Sequence, residues 1–254
     1  MSKESVKRLS KRTWVAVVLV ALVLPAVLIA CSSLFWQQGI RFTLFGRTVI
    51  WRVYYGFALI IIVAAMIPFF LIFEKRKPQA RELVVIATLV AIAVVGRGAF
   101  FFLPFFKPVC AIAIIAAVCF GPESGFLVGA LSGFVSNFFF GQSDQTPWQM
   151  FCFGLVGFVA GLLFRKGLLK ADRLPLCIYG GLGTFLLYGG IINFGSALTR
   201  GVALTPEMLL ASYASALIPD LIHAGATVVF LLILAKPMME KLERIKTKYG
   251  IIEA

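Results

Sequence analysis

Acidic side chains are scarce in this chain: 11 Asp and Glu stand against 24 Lys and Arg, and histidine occurs once. The five cysteines, Cys31, Cys110, Cys119, Cys152 and Cys177, show no CxxC or Cys/His spacing. A zinc site or redox dithiol is therefore not expected, and no metal or cofactor is assigned. A nucleophile elbow, a phosphate loop, a metal-binding helix motif and paired carboxylates at catalytic spacing are all missing. The expectation is a protein that is not an enzyme and carries no ATP-binding cassette of its own.

What fills the sequence instead is hydrocarbon. Hydrophobic residues make up 61% of the chain and the mean hydropathy is +0.98, far above what a soluble domain carries. They come in runs of about 20 residues, the length a helix needs to cross roughly 30 Å of bilayer core. The fold class expected is all-α: a polytopic transmembrane helical bundle.

The net charge of +13 does not describe a nucleic-acid surface, because the bases form clusters between apolar runs instead of one stripe. Lys3, Lys7, Arg8, Lys11 and Arg12 precede the first run, and Lys75, Arg76, Lys77 and Arg81 follow the second. Arg165, Lys166, Lys170 and Arg173 form a third cluster, and Lys236, Lys241, Arg244, Lys246 and Lys248 a fourth. Such clusters mark cytoplasmic loops, where they meet anionic headgroups. Eight apolar runs are predicted, over 14–35, 50–73, 82–103, 107–120, 124–141, 148–164, 175–198 and 208–235. An even number of crossings with basic termini places both ends in the cytoplasm. Loops near 36–49, 103–107, 141–148 and 198–207 then lie outside.

The fourth run is short and bracketed by Pro108 and Pro122, which suits a tilted or incomplete crossing. The polar stretch from Glu74 to Arg81 separates an N-terminal module, 1–79, with a basic segment and a two-helix hairpin, from a six-helix module, 80–254, with a basic tail. The first run also ends in Leu28-Ile-Ala-Cys31, which admits a lipid-modified secretory signal; an uncleaved first helix is the preferred reading. The cysteines read as small packing residues. Gly121, Gly125, Gly129 and Gly133 recur every fourth residue, and Gly157 with Gly161 repeats the spacing. On helices this lets neighbouring backbones approach closely.

Candidate binding residues gather at the predicted outer ends. Arg97 closes the third run, Lys107 opens the fourth, and the next outward stretch holds Asn137, Gln142, Asp144, Trp148 and Gln149. Aromatic faces stack on flat rings and amides read their edges, which suits a ligand pocket. Asn193 is a further polar residue within a helix. Asp220 and His223 share one helical face inside the last run, where ionisable groups by default mark function or critical packing. A buried tie between helices and a proton-coupled site are both compatible with them.

The ordered segments Arg81–Gly98, Lys107-Pro108, Gly121–Ala130 and Thr146–Met150 together resemble the substrate-binding S components of energy-coupling-factor (ECF) vitamin transporters. The resemblance covers about 80–246 and implies a six-helix S-component-like core, to which the N-terminal two-helix hairpin is an addition. It implies a binding subunit of an ATP-driven importer in a prokaryotic cell membrane, with a vitamin-like small molecule as substrate. Its partners would be a coupling transmembrane subunit and two ATP-binding subunits, with the lipid bilayer around it and no nucleic acid. Ala87 and Ala91 match the family's Ala-x-x-x-Ala docking pattern. The segments look most like members linked to cobalamin or another corrinoid, with a pterin, a flavin or a queuosine precursor left open. An autonomous ion-coupled carrier using Asp220 and His223, and a membrane enzyme or assembly factor, are the alternatives.

Overall fold

In lipid, backbone N–H and C=O groups find no solvent partner, so long apolar runs satisfy them internally as helices. The computed structural model describes residues 39–44, 47–75, 78–165, 167–199 and 205–250, together with Val27. Cys31 and, apart from Val27, the predicted helix over 14–35 lie outside the described residues. A hairpin of β1 (Gly39–Leu44) and β2 (Arg47–Arg52) pairs antiparallel, Gly39 opposite Arg52. This hairpin occupies the loop predicted before the second run and the first three residues of that run, 50–52. Seven helices follow: α1 (Val53–Lys75), α2 (Ala80–Ala99), α3 (Val109–Phe120), α4 (Pro122–Phe140), α5 (Thr146–Arg165), α6 (Arg173–Gly183) and, after a π-helical turn over Thr184–Gly189, α7 (Gly190–Thr199). The eighth, α8 (Pro206–Tyr249), is opened by Thr205, whose hydroxyl accepts from the Met208 N–H, and is ended by Gly250 at φ 59°.

Among the described residues, five helical segments are long and apolar enough to cross a bilayer: within α1, α2, α5, the α6–α7 unit and α8. The chain is a polytopic helical bundle, as expected. α3 has only 12 residues, about 18 Å at 1.5 Å per residue, short of the hydrocarbon thickness. Its side chains are buried except Val118, so it is an internal helix surrounded by protein. The run bracketed by Pro108 and Pro122 therefore forms a short apolar helix, shorter than the spanning segments.

Gly121 joins α3 to α4 at φ 104°. That backbone strains any residue with a Cβ, and Pro122 then starts α4 where its missing N–H costs nothing. α4 lies along α5 through the predicted glycines. A Cβ on Gly157 would stand 2.5 Å from the Gly125 carbonyl oxygen, and one on Gly129 would collide with the Phe153 backbone. α5 is the hub: 67% of its apolar window is buried, against 28–39% for the other spanning segments. α1 docks on this core through Phe69, stacked on Phe126 at 4.0 Å and edge-on to Phe158 at 4.8 Å. Cys110, Cys119, Cys152 and Cys177 are buried, in keeping with a packing role.

Among the described residues, members of three basic clusters, Arg81, Arg165 and Lys246, lie at one end of the bundle. Arg81 donates to the Tyr249 carbonyl at 3.4 Å, joining the start of α2 to the end of α8. Ser124, at the start of α4, donates to Glu82 at 3.4 Å. Cys119, closing α3, feels the charges of Arg165, Glu243 and Lys246. The polar groups of interest lie at the opposite ends of these helices.

Candidate binding site

An arginine inside a membrane helix is costly unless its charge finds partners. Arg97, near the end of α2, donates through Nη1 to Ser136 Oγ and to Asn137 Oδ1, the latter at 2.8 Å. Its guanidinium also lies 4.5 Å from the centre of the Phe140 ring, a favourable cation–π placement. Asn137, only 3% exposed, passes the connection on. Its Nδ2 donates to Thr146 Oγ1 and to Gln149 Oε1, each at 2.9 Å. Thr146 and Gln149 are three apart on α5 and so present one face to α4. Arg97, Asn137 and Gln149, three of the predicted residues, are thus brought into one network across three helices.

Lys107 touches the edge of this network. It donates to the Phe100 carbonyl and to the Phe101 carbonyl at 3.4 Å, and stands 5.7 Å from the Phe140 ring that Arg97 also covers. Partial burial, then the Arg97 charge, lower its pKa from the usual lysine value. The loop it braces turns at Phe105, where φ is 61°, a conformation rare for a bulky residue. Phe100 and Phe106 pack on Phe230 of α8 at 5.1 and 5.2 Å, while Phe101, Phe102, Leu103 and Phe105 are exposed.

A second polar group lies between α7, α8 and the π-helical turn. Asn193 Nδ2 donates to Asp220 Oδ2 at 2.6 Å. The carboxylate fits because position 189 is glycine: a Cβ there would stand 2.8 Å from Oδ2. His223 turns elsewhere, with Nε2 3.8 Å from Cys110 Sγ and its ring edge-on to Tyr188 at 4.6 Å and Phe153 at 5.9 Å. Asp220 and His223 therefore share a helical face but have different partners. Tyr188, on the π-helical turn, packs its ring against Phe153 and His223, each at 4.6 Å. π-helical turns widen a helix locally and recur at functional sites.

The remaining predicted residues are placed differently. Trp148 is fully buried in the cluster of Phe126, Phe151 and Phe158, with its Nε1 left without a partner among the described residues. Gly195 lies against its ring, where a Cβ would be 2.5 Å away. Gln142 donates to the Phe134 carbonyl at 3.1 Å; Gln142 and Asp144 are both exposed and lie outside the Arg97 network. Ala87 and Ala91 are exposed on α2, turned away from the core face of Ile86, Leu89, Val90 and Ala93.

Several participants are not among the candidate binding residues read from sequence: Ser136, Thr146, Tyr188 and Cys110, and a lateral tie in which Gln145 donates to Thr199 at 2.5 Å and Ser196 to Gln145 at 3.3 Å. Ser136, three residues beyond Gly133, carries no sequence signal beyond its small size. Nothing in the periodicity announces the turn that positions Tyr188.

The helices define a multi-pass membrane protein whose ionisable and amide side chains meet inside the bundle. Residues 81–239 match the family described as "ECF transporter, substrate-specific component", and the chain belongs to that family. The match begins with α2 and leaves α1 outside it. The chain is 32% identical over 126 residues to a UPF0397 protein of Vibrio atlanticus, covering 47% of this chain and 69% of the relative. It is 28% identical over 160 residues to a UPF0397 protein of Aliivibrio salmonicida, covering 59% and 84%. No solved structure matches.

Proposed function

We propose that this chain binds a vitamin or related cofactor precursor for an ATP-driven ECF-type importer, with cobalamin or another corrinoid the first candidate. The observation that carries the reading is the part-buried Arg97–Asn137–Gln149 network, at the end away from Arg81, Arg165 and Lys246, in a chain of this family. Positive residues collect on the cytoplasmic side. That rule puts both termini inside a prokaryotic cell and the network near the outer surface, where a scarce solute arrives. Arg97, Lys107, Asn137 and Gln149 form the centre of the proposed site. Gln142 and Asp144 stand at its rim, Asn193 with Asp220 forms a deeper wall, and Trp148 supports the floor from within the core. The exposed phenylalanines of the Lys107 loop offer apolar cover to a large flat ligand.

A chain without a phosphate loop must borrow its energy. The partners proposed are a coupling membrane subunit, seated on Ala87 and Ala91, and two ATP-binding subunits. Residues 1–79 are proposed as a separate module added to this unit. Native mass spectrometry of gently purified protein, followed by titration with cobalamin, tests the reading. A retained or titrating ligand that is lost on Asn137→Ala supports it. Proton-driven uptake by the purified chain alone would replace it with an autonomous carrier.

A further inference from the structure

A groove of about 770 Å³ runs between α2 and the basic-end half of α8, remote from the Arg97 network and unused by the proposed site. Its walls are apolar, formed by Val84, Leu89, Ile92, Leu234, Met238 and Ile245. Leu89 is buried at its floor, whereas Val84 and Ile92 are exposed, so the groove opens sideways. The charged lining is confined to Arg81 and Lys241, with Tyr249 beside them, while the hydroxyl of Thr88 is spent on the Val84 carbonyl at 2.8 Å.

We infer that this groove binds an anionic phospholipid, with an acyl chain along the apolar walls and the phosphate held by Arg81 and Lys241. The dimensions agree with one leaflet. From Arg81 to Ile92 α2 rises about 16 Å, which is half of a hydrocarbon core of roughly 30 Å. The charge is placed where a headgroup would lie. The Arg81 guanidinium is 5.5 Å and the Lys248 ammonium 5.4 Å from the Tyr249 ring, and a tyrosine flanked by cations is typical of headgroup depth. The acidic neighbours do not cancel this charge at the groove: Glu243 pairs with Lys246 at 3.0 Å, Glu82 is buried and accepts from Ser124 of α4, and neither Glu82 nor Glu240 is among the lining residues.

The same charge disfavours other occupants. The segment with Lys3, Lys7, Arg8, Lys11 and Arg12 would bring like charge against Arg81 and Lys241. A coupling subunit is placed by the preceding proposal on Ala87 and Ala91, roughly a third of a turn around α2 from the groove. The lipid site does not depend on that proposal, since it concerns the isolated chain.

The test is native mass spectrometry of the full chain released from nanodiscs of phosphatidylglycerol and phosphatidylcholine in equal parts. The wild type should retain phosphatidylglycerol with a preference on the order of tenfold, given the attraction of two basic side chains at a membrane surface. R81A with K241A should bring the two lipids to parity. Val84→Trp fills the groove from an exposed position without removing charge, and should reduce retention of both lipids. Melting temperatures near wild type establish that the variants fold. Equal retention by the wild type overturns the inference, as does a preference that survives R81A with K241A. It is equally overturned if inorganic phosphate displaces the lipid, or if a cysteine at position 84 cross-links to the N-terminal segment or to a coupling subunit while the lipid is absent.

Discussion

The α4–α5 seam and the polar network at its end are made by the same two helices under opposite rules. Along the seam, side chains have been removed until backbones touch: Gly125 faces Gly157, and Gly161 faces Pro122. No water is released when helices meet in lipid, so contact of this kind rests on dispersion over closely fitted surfaces. One turn beyond the last seam glycine, Gly133, the rule changes. Ser136 and Asn137 occupy the interface and exchange directed hydrogen bonds with Arg97, Thr146 and Gln149. The seam is insensitive to chemistry and intolerant of bulk, whereas the network tolerates bulk poorly only where a donor or acceptor is lost. A rigid, featureless seam is what allows a polar cluster to be held at fixed geometry without help from solvent.

Adding bulk to the seam should produce the largest effect. Gly157→Leu forces α4 and α5 apart at a point where the obstacle is backbone and cannot swing away, so destabilisation of about 3 kcal/mol or more is expected. Thermal unfolding in mild detergent, followed by size-exclusion chromatography, reads it. A variant with wild-type melting would show that the helices can separate freely, and the contrast with the network would dissolve.

Removing chemistry from the network should cost less and act on function more. Asn137→Ala strips one acceptor from Arg97 and removes the amide that donates to Thr146 and Gln149, about 2 kcal/mol of stability. Under the proposed function it also removes ligand binding. Gln142→Ala is the control at the exposed rim and should change stability by less than about 0.5 kcal/mol. Equal effects of the two substitutions on binding would move the site away from Arg97. Between these extremes lies Gly189→Ala, where the added methyl meets the Asp220 carboxylate. Asp220 can rotate, though at the expense of its Asn193 bond, so a loss of about 1 kcal/mol is expected, measured by the same melts with Asn193→Ala as the comparison.

The parts of this architecture legible in the sequence are those governed by contact with lipid. The starts of α2, α4, α5, α6 and α8 lie within two residues of the predicted runs, because hydropathy changes sharply where a helix leaves hydrocarbon. α8 was the exception at its other end. Its run was predicted to stop at 235, yet the helix continues to Tyr249, since a charged tail loses hydropathy while keeping its helical hydrogen bonds. Within the site, Arg97, Asn137 and Gln149 stood out because polar groups in an apolar run have few innocuous explanations. Trp148 was expected as a stacking surface and is instead wrapped by phenylalanines and Gly195, a distinction that an aromatic residue near a helix end does not encode. The partners of Asp220 and His223 depended on the π-helical turn, whose extra residue per turn shifts Tyr188 and Gly189 out of ordinary helical phase.

The smallest effect on stability is expected on α2, where the comparison is sharpest because one helix follows both rules. Its inner face carries Leu89 and Ala93 into the core and ends on Arg97, while Ala87 and Ala91 are exposed four residues apart. Alanines on an outer face contribute little to folding, so Ala87→Leu with Ala91→Leu should shift stability by no more than about 0.5 kcal/mol. The Arg97 network, on a different side of the helix, should bind ligand as before. A docked partner would meet the change differently, since two leucines replace a surface flat enough for helix backbones to approach. Co-purification with the coupling subunits and ATP-dependent uptake should both be lost, in a protein whose melting temperature and ligand affinity match the wild type. Undiminished uptake by this variant would refute the docking role. Loss of ligand binding with it would show that these alanines pack within the bundle, and that their exposure on α2 had been covered by another part of the same chain.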